Sequence, residues 1–287
     1  MNSTFPPPGL AEKKRGGFLY RLGRLPFLHR TIAFLQIYPV VNFLLAKANL
    51  HRMVQTRDGG LAIRIRSIAA MTLAEEIFKN ESYGSALKDS EFESFVDLGC
   101  NVGWFVLYAA KMFGKRQFSG LMIDANPEMI EEARWHLNRN GIEGCETLLG
   151  AVGCEPGLTQ VTFHLNPSDT QSAVEAFGKN HPFPVKGKVR PITVPALVLK
   201  DEWTSRFGTR QIDLLKIDIE GAELLFLKSE IEFLQSQVRK IVCEWHQWHV
   251  TFEEMDNFLT SHGFTLQAIL EEDEKSGVAS YLNQAAN

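Results

Sequence analysis

The chain has 287 residues, 45% hydrophobic and 22% charged, enough for one sizeable core with an appendage. A formal net charge of −4 gives no global attraction to nucleic acid, and none is expected as a partner. Cys100, Cys145, Cys154 and Cys243 match neither a paired zinc knuckle nor a C-x-x-C redox pattern, so they read as the buried thiols of a reduced, cytoplasmic protein.

The charge is uneven. Residues 1–52 carry eight basic side chains against Glu12 alone, an excess of +7 that leaves −11 for the remainder. They read as a basic helical N-terminal extension to a domain over 53–287. No secretory signal is read there, because the start is polar and proline-rich ("MNSTFPPPGL") and the apolar stretch begins late. "TIAFLQIYPVVNFLLA" is interrupted by Gln36, Pro39 and Asn42 and falls short of the ~20 residues of a spanning helix. Three roles are open to residues 1–50: a peripheral contact with an anionic membrane, a cap over the domain, or the arm of a homodimer.

Next come a possible strand ("LAIRIRS") and a helix around "TLAEEIFKN", where Thr72 and Glu75 have capping-box spacing. A regular alternation follows. "SFVDLG" is a strand closed by glycine, and "WFVLYAAKMFG" is a helix ending at Gly114. "FSGLMID" is a second strand. "NPEMIEEARWHLNRNG" is a helix capped by Asn126, with Pro127 in its first turn and Gly141 at its end. "ETLLGAVG" is a third strand. A β insertion around 155–195 then holds "LTQVTFHL" and "KVRPITVPA" on either side of a polar loop near 167–187. After a short helix near "LVLKDEW", the alternation resumes with strand "QIDLLKID", a helix from about Ala222, strand "RKIVCEWH" and helix "TFEEMDNFLTSHG". "FTLQAILEE" and "GVASYLNQ" close the chain as a hairpin. The expected fold is α/β: a Rossmann-like, mostly parallel sheet with helices on both faces and an antiparallel last hairpin.

In such a sheet ligands bind beyond the carboxyl ends of the strands, so the residues that terminate strands are the candidates. Gly99 lets the chain leave the first strand at almost any φ and lets a ligand approach. The helix beginning near Gly103 would turn its free N–H groups into the crevice. Asn101 and Trp104 occupy the second and third glycine positions of a dinucleotide loop, which argues against a pyrophosphate there. Asp124, ending the second strand, suits a ribose diol. Lys216 and Asp218 share one strand face, and a buried lysine needs a partner, with Asp218 or Glu244 available. Asp218 and Glu220 would face cofactor and substrate. Glu223 suits the first turn of the next helix. His246 is a second candidate base after Asp218. The eight histidines show no H-x-x-x-H or similar spacing, and no metal is expected.

These stretches resemble a family, the S-adenosylmethionine-dependent methyltransferases of the FkbM type. "FVDLGCNVGWF" is similar to its first motif, V-D-x-G-A-N-x-G, in which asparagine is usual. "IDANPEM" is similar to its second motif, F-E-P-N-P. "DLLKIDIEGAELLFL" resembles its most distinctive stretch, D-L-L-K-I-D-V-E-G-A-E. "AVGCEPGLTQVTFHL" and "AEEIFKNESYG" resemble flanking segments, so the likeness spans roughly 71 to 270. Asp124 replaces the usual Glu, Ala125 a proline and Cys100 an alanine.

The resemblance implies a seven-stranded class I methyltransferase sheet ordered 3-2-1-4-5-7-6, with S-adenosylmethionine as cofactor. It also implies methyl transfer to a hydroxyl of a small-molecule or glycan acceptor: a sugar, a glycolipid or a natural-product scaffold. Asp97, Gly99, Asn101 and Gly103 would hold the methionine part, with Cys100 in the same turn and Tyr83 from the preceding segment. Asp124 would bind the ribose, and Ala125, Ala151 and Val152 would flank the adenine. Asp218, Glu220, Lys216 and His246 would stand near the methyl group and acceptor. A nicotinamide-dependent oxidoreductase and a non-catalytic cofactor-binding protein are the alternatives.

Overall fold

The computed structural model describes residues 50–286 apart from 57, 58, 67, 80, 82, 88–91, 166–171 and 175–188. Most of the expected basic extension, residues 1–49, and most of the expected loop at 167–187 lie outside the described residues.

The described residues open on an antiparallel hairpin, β1 (Leu50–Thr56) and β2 (Gly59–Ile65), of which the periodicity predicts only the second strand. Helix α1 (Ile68–Phe78) starts four residues before Thr72, so Thr72 is interior and the expected capping box is not its start. A short α2 (Gly84–Leu87) follows. The alternation then runs as expected through β3 (Ser94–Leu98), α3 (Trp104–Phe113), β4 (Gln117–Asp124), α4 (Pro127–Asn140) and β5 (Glu143–Leu149). The insertion forms β6 (Gln160–Leu165), β7 (Ala173–Val174) and β8 (Arg190–Pro195), a small antiparallel sheet ordered β7-β6-β8. The chain closes with α5 (Leu199–Phe207), β9 (Ile212–Ile217), α6 (Glu223–Gln237), β10 (Val238–His246), α7 (Phe252–Ser261), β11 (Phe264–Glu272) and β12 (Ser276–Asn283).

The main sheet has seven strands in the order β11-β12-β10-β9-β3-β4-β5. The β3–β4, β4–β5, β3–β9 and β9–β10 pairs are parallel, and β12 runs antiparallel to both its neighbours. With the insertion strands set aside, this is the order 3-2-1-4-5-7-6. The fold is the class I methyltransferase sheet, mostly parallel with an antiparallel closing hairpin. Both faces are covered, which is why β3 is buried along its whole length. One face packs α1, α3 and α4 around Phe95, Met122, Leu214 and Val242. The other packs α5, α6 and α7 around Val96, Leu121, Leu215 and Ile241.

Local chemistry sets the helix ends. Asn126 caps α4 by accepting from the Glu128 N–H at 3.0 Å, Pro127 opens it, and Gly141 ends it in the left-handed region at φ 61°. Gly114 ends α3 in the same way. Thr251 and Glu254 start α7 with a reciprocal capping box. The chain order reverses at β3: β4 and β5 lie to one side, β9 and β10 to the other. That reversal opens a crevice at the carboxyl rim. Among the described residues no helix is long and apolar enough to cross a membrane.

The hairpin is fastened to α4 by buried polar contacts. The Arg64 guanidinium lies 4.2 Å from the Trp135 ring centre and donates through Nε to Glu132 Oε1 at 2.6 Å. Arg66 reaches the same carboxylate at 3.0 Å. The Asn140 side chain accepts from Ala62 N–H and donates to Ala62 C=O. Burial would raise the pKa of Glu132, but the hydrogen bonds from Arg64 and Arg66 outweigh it and hold the carboxyl below its usual range. Its stabilisation is therefore present above the unfolded pKa and lost as pH falls through the lowered one. Replacing Glu132 with Gln leaves a largely buried guanidinium without its counter-charge. We expect a loss of about 3 kcal/mol of unfolding free energy, read from urea denaturation at neutral pH. A change within about 0.5 kcal/mol would show that the hairpin is held by its apolar face alone.

Candidate active site at the carboxyl rim of the sheet

A cavity of about 520 Å³ opens over the strand ends. Tyr83, Gly99, Cys100, Asn101, Asp124, Ala125, Ala151, Val152, Lys216, Asp218, Glu220 and His246 all line it. Two of the expected residues do not. Asp97 is fully buried beneath the floor, and Gly103 faces Met122 and Ala133 inside the fold.

The glycine turn is closed on itself. Gly99 and Cys100 donate their N–H groups to Ile123 C=O, and Gly103 donates to Cys100 C=O. Asn101 N–H donates to Asp124 Oδ2, and Val102 N–H to Asn101 Oδ1, both at 2.8 Å. All five backbone donors from Gly99 to Gly103 are thus used within the protein. The N–H groups of the turn itself are therefore not offered to a ligand, and the expected free donors are those of the first turn of α3, which no side chain caps. Gly99 is required for another reason too. At φ 72°, a Cβ there would overlap the Asp218 carbonyl oxygen, so two strand ends cross in contact. Asn101 sits at φ 48°, a region asparagine tolerates better than most residues. Its side-chain oxygen caps the turn, and its amide nitrogen makes no hydrogen bond among the described residues, leaving a donor at the cavity wall. Trp104 is buried, with its ring edge-on to Phe78 and His136, so it belongs to the core as well as the cavity wall.

Asp124 accepts one backbone N–H on each oxygen, from Asn101 and from Asn126. Burial lifts its pKa to about 6 against the pull of those two bonds. Each oxygen keeps a lone pair for a further donor. Beside it, Ala125 and Ala151 cluster with Phe163 of the insertion, which also lines the cavity. Sequence reasoning missed Phe163, because only the folded insertion brings it to the strand ends.

Across the reversal point the rim is acidic. Burial opposes charge on Lys216, but Asp97, Asp218 and Glu244 hold its pKa well above the ordinary lysine value. The ammonium lies 3.2 Å from Asp97 Oδ1, 3.4 Å from Asp218 Oδ2 and 3.4 Å from Gly99 C=O. The partners weighed from sequence were Asp218 and Glu244; the shortest contact is to Asp97. A lysine so held is a fixed cation, not a proton acceptor. Burial likewise keeps the Tyr83 hydroxyl protonated.

His246 is buried at 4% exposure. Its Nδ1 bonds Glu223 Oε1 at 2.9 Å, and Nε2 stands 3.6 Å from Glu220 and 3.8 Å from Glu244. Burial lowers its pKa, but these carboxylates reverse the effect and bring it to about 10. At neutral pH the imidazole already carries its proton, which corrects the expectation of a free base at this position. Glu223 does more than favour a helix dipole: it also accepts from the N–H groups of Ile219 and Gly221 and braces the turn into α6. Burial and the neighbouring Asp218 push Glu244 well above the usual carboxyl range. Glu271 and Asp273 complete the rim from the closing hairpin.

Residues 97–266 match the family described as the methyltransferase FkbM domain. The chain is 26% identical over 223 residues to methyltransferase sdnD of Sordaria araneosa, covering 70% of this chain and 85% of that protein. It is 23% identical over 202 residues to methyltransferase 1 of Beauveria bassiana (strain ARSEF 2860), covering 67% and 80%. Among solved structures, the METTL16 methyltransferase domain aligns with a TM-score of 0.47 at 12% identity, over 96% of this chain and 98% of that one. A SAM-dependent methyltransferase from Aquifex aeolicus aligns with a TM-score of 0.42 at 15% identity, over 73% and 92%. The matched segment spans more than half of the chain and holds both the glycine turn and the D-I-E-G stretch: the protein belongs to the FkbM family of S-adenosylmethionine-dependent methyltransferases.

Proposed function

We propose that the protein methylates a hydroxyl group on a sugar, glycolipid or natural-product acceptor, with Asp218 assisting loss of the hydroxyl proton. The observation that carries this reading is the division of one cavity at the strand reversal. The ends of β3, β4 and β5 present Gly99, Asn101, Asp124, Ala125 and Ala151 on one side. The ends of β9 and β10 present Asp218, Glu220, Glu244 and His246 on the other.

The first side suits the cofactor. Asp124 offers spare lone pairs to a diol, Asn101 an unbonded amide donor, and Ala125, Ala151 and Phe163 a small apolar slot. When bound, the cofactor supplies a methyl group already activated by its sulfonium charge. The carboxylates across the cavity favour that positive charge and align donors on an acceptor. Asp97, Lys216 and Asp218 form a fixed array that holds the Asp218 carboxylate at the boundary between the two sides. Lys216 and His246 are cationic, so the proton of the acceptor hydroxyl is drawn to carboxylate, not to either base. The oxidoreductase alternative loses support from the glycine turn, where Asn101 and Trp104 stand in place of the second and third glycines and the turn's own N–H groups are bonded within the protein.

Two outcomes follow. Asp218→Asn should lower the methylation rate by at least about 100-fold while S-adenosylhomocysteine affinity, by calorimetry, changes by less than about threefold. Equal losses in rate and affinity would remove Asp218 from proton handling. The second concerns pH. Only the ionised Asp124 accepts hydrogen bonds from both hydroxyls of a diol, so cofactor binding should be constant above pH 7 and weaken as pH falls through about 6. Calorimetry with S-adenosylhomocysteine between pH 5 and 8 checks this. Asp124→Asn should bind more weakly at pH 8 and lose the pH dependence, whereas an unchanged profile would place the diol elsewhere.

A further inference from the structure

We propose that the acceptor side of the cavity is a binding site for one divalent transition cation of the Mn2+ or Zn2+ class, held by Asp218, Glu244 and His246. One ligand atom from each of these residues lies within 4.8 Å of the others. An ion about 2.1 Å from its ligands holds three of them about 3.0 to 3.6 Å apart, so the side chains would close in on it from separations of up to 4.8 Å.

The backbone brings the three together without strain. Glu244 and His246 are two apart on β10, so they share a face. The parallel register with β9 sets Val242 beside Lys216 and Cys243 beside Ile217, and the next step places Glu244 beside Asp218. Local spacing along the sequence does not show this set, because its ligands come from two different strand ends.

A second observation is independent of the carboxylates. His246 is more than nine-tenths buried, yet its Nε2 faces the cavity and makes no hydrogen bond among the described residues, with carboxylate oxygens of Glu220 and Glu244 at 3.6 Å and 3.8 Å. Its other nitrogen is fixed by Glu223, itself anchored by two backbone N–H groups. A carboxylate bonded to one imidazole nitrogen is the arrangement that orients a metal-binding histidine, and an ion at Nε2 would displace the proton the ring otherwise carries there. Charge points the same way. Asp218, Glu220 and Glu244 line the cavity beside the pairs that Asp97 makes with Lys216 and Glu223 with His246. The imidazole ligand favours Mn2+, Fe2+ or Zn2+ over Mg2+ and Ca2+, which prefer oxygen alone.

Three protein ligands leave positions open for the acceptor. The use of the ion rests on the hydroxyl-methylation reading above: a bound hydroxyl, or two adjacent ones, would be oriented and made more acidic, and Asp218 would assist proton loss by holding the ion. The existence of the site does not rest on that reading.

The test is a Mn2+ titration of the chelator-stripped full chain, followed by the electron paramagnetic resonance signal of free Mn2+, without cofactor or acceptor. S-adenosylhomocysteine calorimetry runs in parallel. Saturation at one Mn2+ per chain is expected, with affinity lowered at least tenfold by His246→Ala and by Glu244→Gln. Glu223→Gln, a positioning change, should weaken Mn2+ by about 10- to 100-fold and leave S-adenosylhomocysteine affinity in place. Zn2+ should compete for the same site. Absence of stoichiometric Mn2+ or Zn2+ binding to wild-type chain would overturn the proposal. So would binding that His246→Ala and Glu244→Gln leave unchanged in protein that still binds S-adenosylhomocysteine. Failure of the wild-type chain to bind S-adenosylhomocysteine would instead count against the methyltransferase reading, while the Mn2+ titration would still decide the ion site.

Discussion

The Lys216 ammonium ties the two halves of the site together. It sits on β9, almost without solvent, against Asp97 of β3, Asp218 at the end of β9 and the carbonyl of Gly99. An isolated ammonium in such a place would be costly, and it is tolerated because the partners converge from adjacent strands. Asp97 and Lys216 are register partners in the parallel β3–β9 pair, so sheet formation itself assembles the ion pair. The same contact fixes where the glycine turn leaves β3. Any shift of one strand against the other would separate buried charges, so the geometry at the reversal point is tightly specified.

From that point the site divides by the chemistry each side satisfies internally. The glycine turn spends its backbone donors on Ile123, Asp124 and its own residues, and so presents side chains to a ligand. The acidic side does the opposite. Glu223 is held through one oxygen by backbone N–H groups and His246, while Asp218, Glu220 and Glu244 stay crowded around the cavity. A closed turn on one side and a carboxylate cluster on the other suit a cationic cofactor better than a phosphate-rich ligand.

The alternation of strands and helices was legible because each element repeats its own period and most ends carry explicit punctuation, such as Asn126, Gly114 and Gly141. The sheet order followed from the motif resemblance. What escaped was non-local. β1 has no strong alternation and exists through its pairing with β2. Helix α1 already runs from Ile68, so the Thr72 signal misled. In the site, strand-end acids were found because position along a strand predicts the rim. Partners were not: Asp97 as the nearest counter-ion of Lys216, Glu223 as the anchor of His246, and Phe163 beside Ala151 each depend on contacts between distant segments.

The sequence by itself determined the class of sheet, the family, and most of the side chains at its carboxyl rim, since periodicity and motif spacing are local properties. Only the tertiary structure decided their charge states and what they touch. His246 reads as a neutral base in isolation and becomes a buried cation among three carboxylates. Asp124 becomes a carboxyl that titrates near 6, and Asn101 becomes the cap of its own turn. The physical reason is that protonation and hydrogen bonding depend on burial and on neighbours within a few ångströms, and folding draws those neighbours from other strands.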